Sequence, residues 1–354
     1  GNLSANNNIS GNHNISIGES SLYNSTISSG SVAIGRETLY NTTTTINTAI
    51  GYQAGKNITG GGNTFIGNGT GQGSSTPLSN TGNNNVGVGD GALYNFSTGF
   101  ENTAIGINSM VNLTTGQYNT AIGTQSMKGP ITGQDNFGVG RQSLFNLNTG
   151  DSNVAIGYQS LYELTAGTAN IAIGNGSLAN IKDTTAGILN NSSQGNIAIG
   201  NGAGSNLVEG ATKNIFIGAG AGQYLTGYTP GFDSSNSTGT LLIDNSSRYE
   251  GDLDTPTRIR KEITQALIIG NFASNIANQQ LRINGNLVVS GSTTIYGSIS
   301  KAGGSFRIPN PTPNKDNYLY HSFVESPTAG DNLYRWVITT VNGKGTIQLP
   351  DYYN

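Results

Sequence analysis

Asn102-Thr103-Ala104-Ile105-Gly106 and Asn119-Thr120-Ala121-Ile122-Gly123 are the same five residues seventeen positions apart, and Asn153-Val154-Ala155-Ile156-Gly157 repeats them with one change. Outward from this stretch, the pattern Asn, β-former, small residue, Ile or Val, Gly recurs twelve times, from Asn14–Gly18 to Asn214–Gly218, with Ser31 in place of Asn in the second copy. The closing glycines are spaced by 17, 16, 16, 22, 17, 17, 17, 17, 17, 26 and 18 residues. A period this regular is the signature of a solenoid, whose units are too short to bury a core alone and must stack. The 22- and 26-residue intervals read as loops inserted at 71–84 and 181–195.

Within each pentad the two-residue period of a strand puts Thr103 and Ile105 on one face and Ala104 on the other. Four residues past the glycine an aliphatic returns, at Leu22, Leu39, Leu93, Met110, Met127, Leu144, Leu161 and Leu178, often followed by an aromatic and Asn as in Tyr40-Asn41. Each unit thus reads as a short strand, a Gly turn, a second apolar segment and a polar turn. The expected core joins the Ile/Val column to the Leu/Met column, so that Ile122→Asp would bury an unpaired charge and disrupt a coil. The Ala/Gly column, at Ala33, Ala49, Gly87 and onward, then suits either a subunit interface or a tight coil, and Phe65 and Phe216 interrupt it. Asn at the strand start can bond its equivalent in the next coil or cap the turn, and Gly supplies a positive φ without strain.

Composition supports this economy of core. Of 354 residues only 34% are hydrophobic and 10% charged, while 53 are Gly, too little apolar surface for a large conventional core. A net charge of −3 leaves no basic footprint for nucleic acid and no cluster for an anionic membrane surface. The longest aliphatic runs, Leu241-Leu242-Ile243 and Ala266-Leu267-Ile268-Ile269, fall far short of the roughly 20 residues of a spanning helix, so membrane insertion is not expected. With no cysteine there is no disulfide framework or thiolate metal site. A chain opening on Gly1 without a signal-peptide pattern reads as a processed product or a fragment.

The pentads Asn102–Gly106, Asn119–Gly123 and Asn153–Gly157 resemble the head repeats of trimeric autotransporter adhesins, which form trimeric left-handed β-rolls. The longer repeat with Tyr-Asn is more similar to repeat arrays in tail-fibre proteins of phages and large viruses. Leu281–Gly297 resembles the β-structured neck of viral fibres, and Ala302–Pro309, His321–Pro327 and Asp331–Arg335 resemble a domain common near the C-terminus of phage and algal-virus fibre proteins. The implied architecture is all-β, with a β-solenoid shaft over 1–226, a transition and neck over 227–300 and a small C-terminal β-domain, the tip, over 301–354. The resemblance further implies a homotrimeric structural fibre on a virion surface, extracellular, contacting other virion proteins at its N-terminal end and a host-surface polysaccharide or glycoprotein for attachment. The alternative is an extracellular bacterial adhesin head of the autotransporter type.

Catalysis has little material. Only His13 and His321 are present, so a triad or His-rich metal site is not expected; no catalytic residue, cofactor or metal is assigned, and the chain reads as non-enzymatic. Asp244, Glu250, Asp252 and Asp254 form the one dense acidic stretch; it suits either a calcium ion or, more commonly in a Gly/Ser-rich joint, a solvated loop. The glycine turns lack the Gly-Lys-Ser/Thr ending of phosphate-cradling loops. Sequons such as Asn57-Ile58-Thr59 follow from composition. Aromatics concentrate near the C-terminus, and Tyr318, Tyr320, His321, Tyr334, Arg335 and Trp336 are the candidate glycan contacts, since aromatic faces stack on sugars; a small β-domain also needs such residues for its own core.

Overall fold

The structure is a computed structural model that describes residues 1–43, 46–76, 79–181, 193–207, 210–223, 239–244, 267–271, 280–283, 287, 305–309 and 318–322. The chain separates into two compact units, Gly1–Leu287 and Val288–Asn354. Among the described residues every regular element is a strand.

In the first unit the twelve pentads supply β1 (Ile15–Ile17), β2 (Val32–Ile34), β3 (Thr48–Ile50), β4 (Thr64–Ile66), β5 (Val86–Val88), β6 (Thr103–Ile105), β7 (Thr120–Ile122), β8 (Phe137–Val139), β9 (Val154–Ile156), β10 (Ile171–Ile173), β11 (Ile197–Ile199) and β12 (Ile215–Ile217). Each pairs in parallel with the next, in register, Thr103 on Thr120 and Ile105 on Ile122. β13 (Thr240–Ile243) continues the parallel stack, and β14 (Ile268–Asn271) and β15 (Gln280–Ile283) extend the same sheet antiparallel. The solenoid with its seventeen-residue period is therefore the observed fold.

Ladders run round the coil, not only along the strands. In the seventh coil Gly123, Gln125 and Asp135 donate back to Ile105, Ile107 and Gln117, while Thr120, Met127, Gly129 and Thr132 donate forward to Asn136, Ser143, Phe145 and Asn148, all at 2.7–3.1 Å. The polar backbone of a three-residue strand and its turns is thereby satisfied by the coils on either side. At the closing glycine φ is +133° in Gly123, and a Cβ there would meet the carbonyl oxygen of Gly140 at 2.6 Å. No side chain fits between the stacked turns at this point.

The core differs from the sequence expectation in one respect. Ala104, Ala121, Ala155 and their equivalents are fully buried, while Ile105, Ile122 and Ile156 are 36–38% exposed. The alternation was read with the correct parity and the wrong face: the Ala/Gly column points inward, so it is not a subunit interface, and the Ile/Val column points outward. The reason is space. The Leu/Met column enters the coil interior as expected, and a Cβ on Gly138 would already lie 3.0 Å from Met127 Cε and 3.0 Å from Ser126 Oγ. Where Leu or Met fills the interior, the inner strand position has room for a small residue only. Ile122→Asp would accordingly place its carboxylate at the surface rather than in the core.

A third inner column, seven residues past the glycine, completes the interior with Ile58, Phe96, Leu113, Leu147, Leu164, Ile181 and Leu207. The inner Leu and Met residues take a left-handed backbone, φ +46° to +54° from Leu93 through Leu161, a conformation that costs roughly 1–2 kcal/mol per residue and is sustained by burial. Gly replaces the aliphatic where the strand brings a larger inner residue: Gly55 and Gly71 flank Phe65, and Gly204 and Gly222 flank Phe216. A Cβ on Gly204 would lie 3.0 Å from Phe216 Cδ2, and one on Gly222 would lie 2.5 Å from Phe216 Cδ1.

Candidate interaction surface

The buried Asn column is structural. Each side-chain oxygen accepts the backbone N–H of the next Asn, as from Asn119 to Asn102 and from Asn136 to Asn119, both at 3.0 Å. Each side-chain nitrogen donates to the carbonyl that closes its own coil, Asn119 to Gly133 at 2.9 Å and Asn136 to Gly150 at 2.8 Å. Several inner hydroxyls are similarly engaged, Ser160 donating to Gly157 and Ser177 to Gly174. These groups spend their bonding capacity on the fold and hold nothing in reserve for chemistry.

Among the described residues, none of the charged groups is buried. Glu37 accepts from Lys56 at 2.6 Å and from Gln53 at 2.8 Å, and these bonds, the lysine's first, hold its carboxyl below the usual carboxylate range. His13 is exposed and pairs with Asn12 at 2.8 Å. Among the described residues no group of three or more His, Cys, Asp or Glu converges on a point, and no helix is long and apolar enough to cross a membrane. Asp244 follows β13 and its N–H donates to Ile217; Glu250, Asp252 and Asp254 lie outside the described residues.

The candidate glycan contacts fall in the second unit. Tyr318, Tyr320 and His321 are on β17 (Tyr318–Ser322), which pairs antiparallel with β16 (Ser305–Pro309) so that Tyr318 opposes Pro309, Tyr320 opposes Arg307 and His321 opposes Phe306. Tyr334, Arg335 and Trp336 lie outside the described residues. Of the two inserted loops, 181–195 is largely outside them too. The loop at 71–84 is organised by buried Asn80, whose amide donates to Asn57 and Ser74 at 2.8 and 3.0 Å.

Two further surfaces repeat with the coil. On the turn side, side chains stack on their equivalents: Tyr23 on Tyr40 with centroids 5.0 Å apart, Phe145 on Tyr162 at 4.9 Å, Gln142 to Gln125 and Gln159 to Gln142 at 3.1 Å. On the strand side lies the surface the sequence reading misplaced. Its first outward column runs Ile15, Val32, Thr48, Thr64, Val86, Thr103, Thr120, Phe137, Val154, Ile171, Ile197, Ile215, and its second is Ile or Val in all twelve coils. No charged residue interrupts either column, and Thr48, Thr64, Thr103 and Thr120 are its only polar members.

Comparison with protein-family profiles, with curated proteins and with solved structures returns no match to this chain.

Proposed function

We propose that the chain is a non-enzymatic structural fibre protein, whose solenoid is a spacer and whose C-terminal residues attach to a host-surface glycan. The observation that carries this reading is the unbroken in-register stack from β1 to β13, which at about 4.8 Å per strand makes a rod on the order of 60 Å long. Its interior is filled and its buried asparagines and strand backbone are bonded to neighbouring coils, the construction of a rigid spacer rather than of a pocket. The resemblance of its repeats and C-terminal motifs to viral fibre proteins adds the setting: a homotrimer on a virion surface, joined to other virion proteins near its N-terminal end.

The test has two arms. Purified full chain is applied to arrays of cell-surface polysaccharides and glycoproteins, alone and as Tyr320→Ala and Trp336→Ala. Binding by the parent that falls at least tenfold in the variants supports attachment through this segment; equal binding by all three removes it. The same polysaccharides are then sized after incubation, and shortened chains would overturn the non-enzymatic reading.

A further inference from the structure

We infer that the outward Ile/Val/Thr face of the solenoid is the surface through which copies of this chain associate, side by side, parallel and in register. The inference deepens the fibre reading above and rests on its being an assembled one. It moves the interface from the Ala column, which is buried inside each coil, to the opposite side of the same strands.

Three observations carry it. The face is one contiguous apolar strip two side chains wide. Its columns are about 7 Å apart and it runs about 60 Å; with a side chain's width on either edge it approaches the roughly 800 Å² per partner of stable interfaces, whereas incidental patches are smaller. Ile50, Ile66, Ile105, Ile122, Ile199 and Ile217 are each 37–40% exposed along it.

Second, the strip outlasts the repeat. After the last pentad the strand direction reverses, yet Ile243 opposes Ile268, which opposes Ile283, and Leu241 lies on Ile215. Coil closure does not demand apolar residues outside these strands; a continuous partner does.

Third, the occupant must match a strip of this length and rise. Another copy does so by construction, and the polar members set its direction. Thr48 is stacked on Thr64 and Thr103 on Thr120. In register, each Thr meets its own equivalent and the hydroxyls bond one another. In an end-to-end reversed pairing of the twelve levels, Thr48 and Thr64 face Ile and Val instead, leaving hydroxyls buried without partners.

The experiment uses the full chain. Mass in solution should be a multiple of the single-chain mass for the parent and for Tyr94→Asp, an exposed residue at the position of the turn-side aromatic stack, and should fall to the single-chain mass for the pair Ile105→Asp with Ile122→Asp, with circular dichroism unchanged. Because the chain contains no cysteine, Ile34→Cys in the otherwise unaltered protein supplies a second reading that does not depend on the charged variant folding. A short bis-maleimide should join like copies through it, since residue 34 meets residue 34 only in register. A multimeric parent whose Ile34→Cys form does not cross-link, or whose Asp variant folds and stays multimeric, overturns this face and register while the fibre reading stands. A single-chain mass for the parent overturns the inference and the assembled fibre together.

Discussion

Phe65 occupies the space that an aliphatic fills in other coils: a Cβ on Gly71 would fall within its ring, 2.6 Å from Cγ, and one on Gly55 would lie 3.2 Å from Cδ2. The same arrangement recurs around Phe216 with Gly204 and Gly222. The interior is thus filled from two directions, by Ala or Gly plus Leu or Met in most coils and by Phe plus Gly in these.

The first prediction follows from that exchange. Phe65→Ala should lower stability by about 3–5 kcal/mol, the cost of deleting a buried ring whose site cannot collapse. Gly71→Leu alone should also be destabilising, since the side chain has no room. Phe65→Ala with Gly55→Leu and Gly71→Leu rebuilds the Ala-plus-Leu pattern of coils nine and ten, and its urea midpoint should recover most of the loss. A triple variant no more stable than the worst single change would mean that the two fillings are not interchangeable.

How much of this was legible in the sequence follows from the same residues. The period, the strands and the register could be read because twelve pentads agree. The inward face could not be read from hydrophobicity, because Ile122 is more apolar than Ala121 and the more apolar side is the natural choice for a core. Volume decides it, and the volume signal was present: Phe65 and Phe216 coincide with Gly at the Leu position in two coils each. The inner column at Leu113, Leu147 and Leu164 is also periodic but lies seven past the glycine, beyond the more conspicuous Tyr-Asn of the turn. The candidate glycan contacts owe nothing to the repeat; residue type and local density alone point to Tyr334, Arg335 and Trp336, and periodicity has no bearing on them.

Asn136 should be among the most sensitive polar positions. Its side chain accepts from Asn153 N–H at 3.0 Å and donates to Gly150 at 2.8 Å, both within the buried ladder. Asn136→Ala strands that donor and weakens the acceptor's bonding, for a loss of about 2–3 kcal/mol, and Asn136→Asp should cost at least as much because it introduces a buried charge. Asn95→Ala, on an exposed Asn pair, should stay within about 0.5 kcal/mol. Chemical denaturation of the three variants ranks them; equal midpoints would remove the ladder's structural role.

Thr42 is a position where the protein can be improved. It sits in the third inner column, and its hydroxyl is buried with no hydrogen-bond partner. Thr42→Val keeps the shape and removes the unpaired group, so it should stabilise by about 1 kcal/mol. Thr38→Val, four residues earlier in the same coil, should do the opposite because Thr38 Oγ1 donates to Gly51 at 2.8 Å. A higher melting temperature for the first and a lower one for the second is the expected pair of results.

Acid should leave the solenoid largely intact. The buried polar residues among those described are Ser, Thr and Asn, none of which titrates, so protonation removes nothing from the interior ladders. Glu37 is the described carboxylate held below its usual range, by Lys56 and then Gln53. A depressed folded-state value means that its contribution is present above the unfolded-state value and fades as the pH falls through the lowered one; with the pair at the surface, that contribution is small. Melting temperature should therefore stay level from neutral pH to about pH 5 and decline by only a few degrees in stronger acid, with part of the decline absent in Glu37→Gln. Cooperative loss of β-signal on mild acidification would show that a titrating group, rather than an amide ladder, holds the coils together.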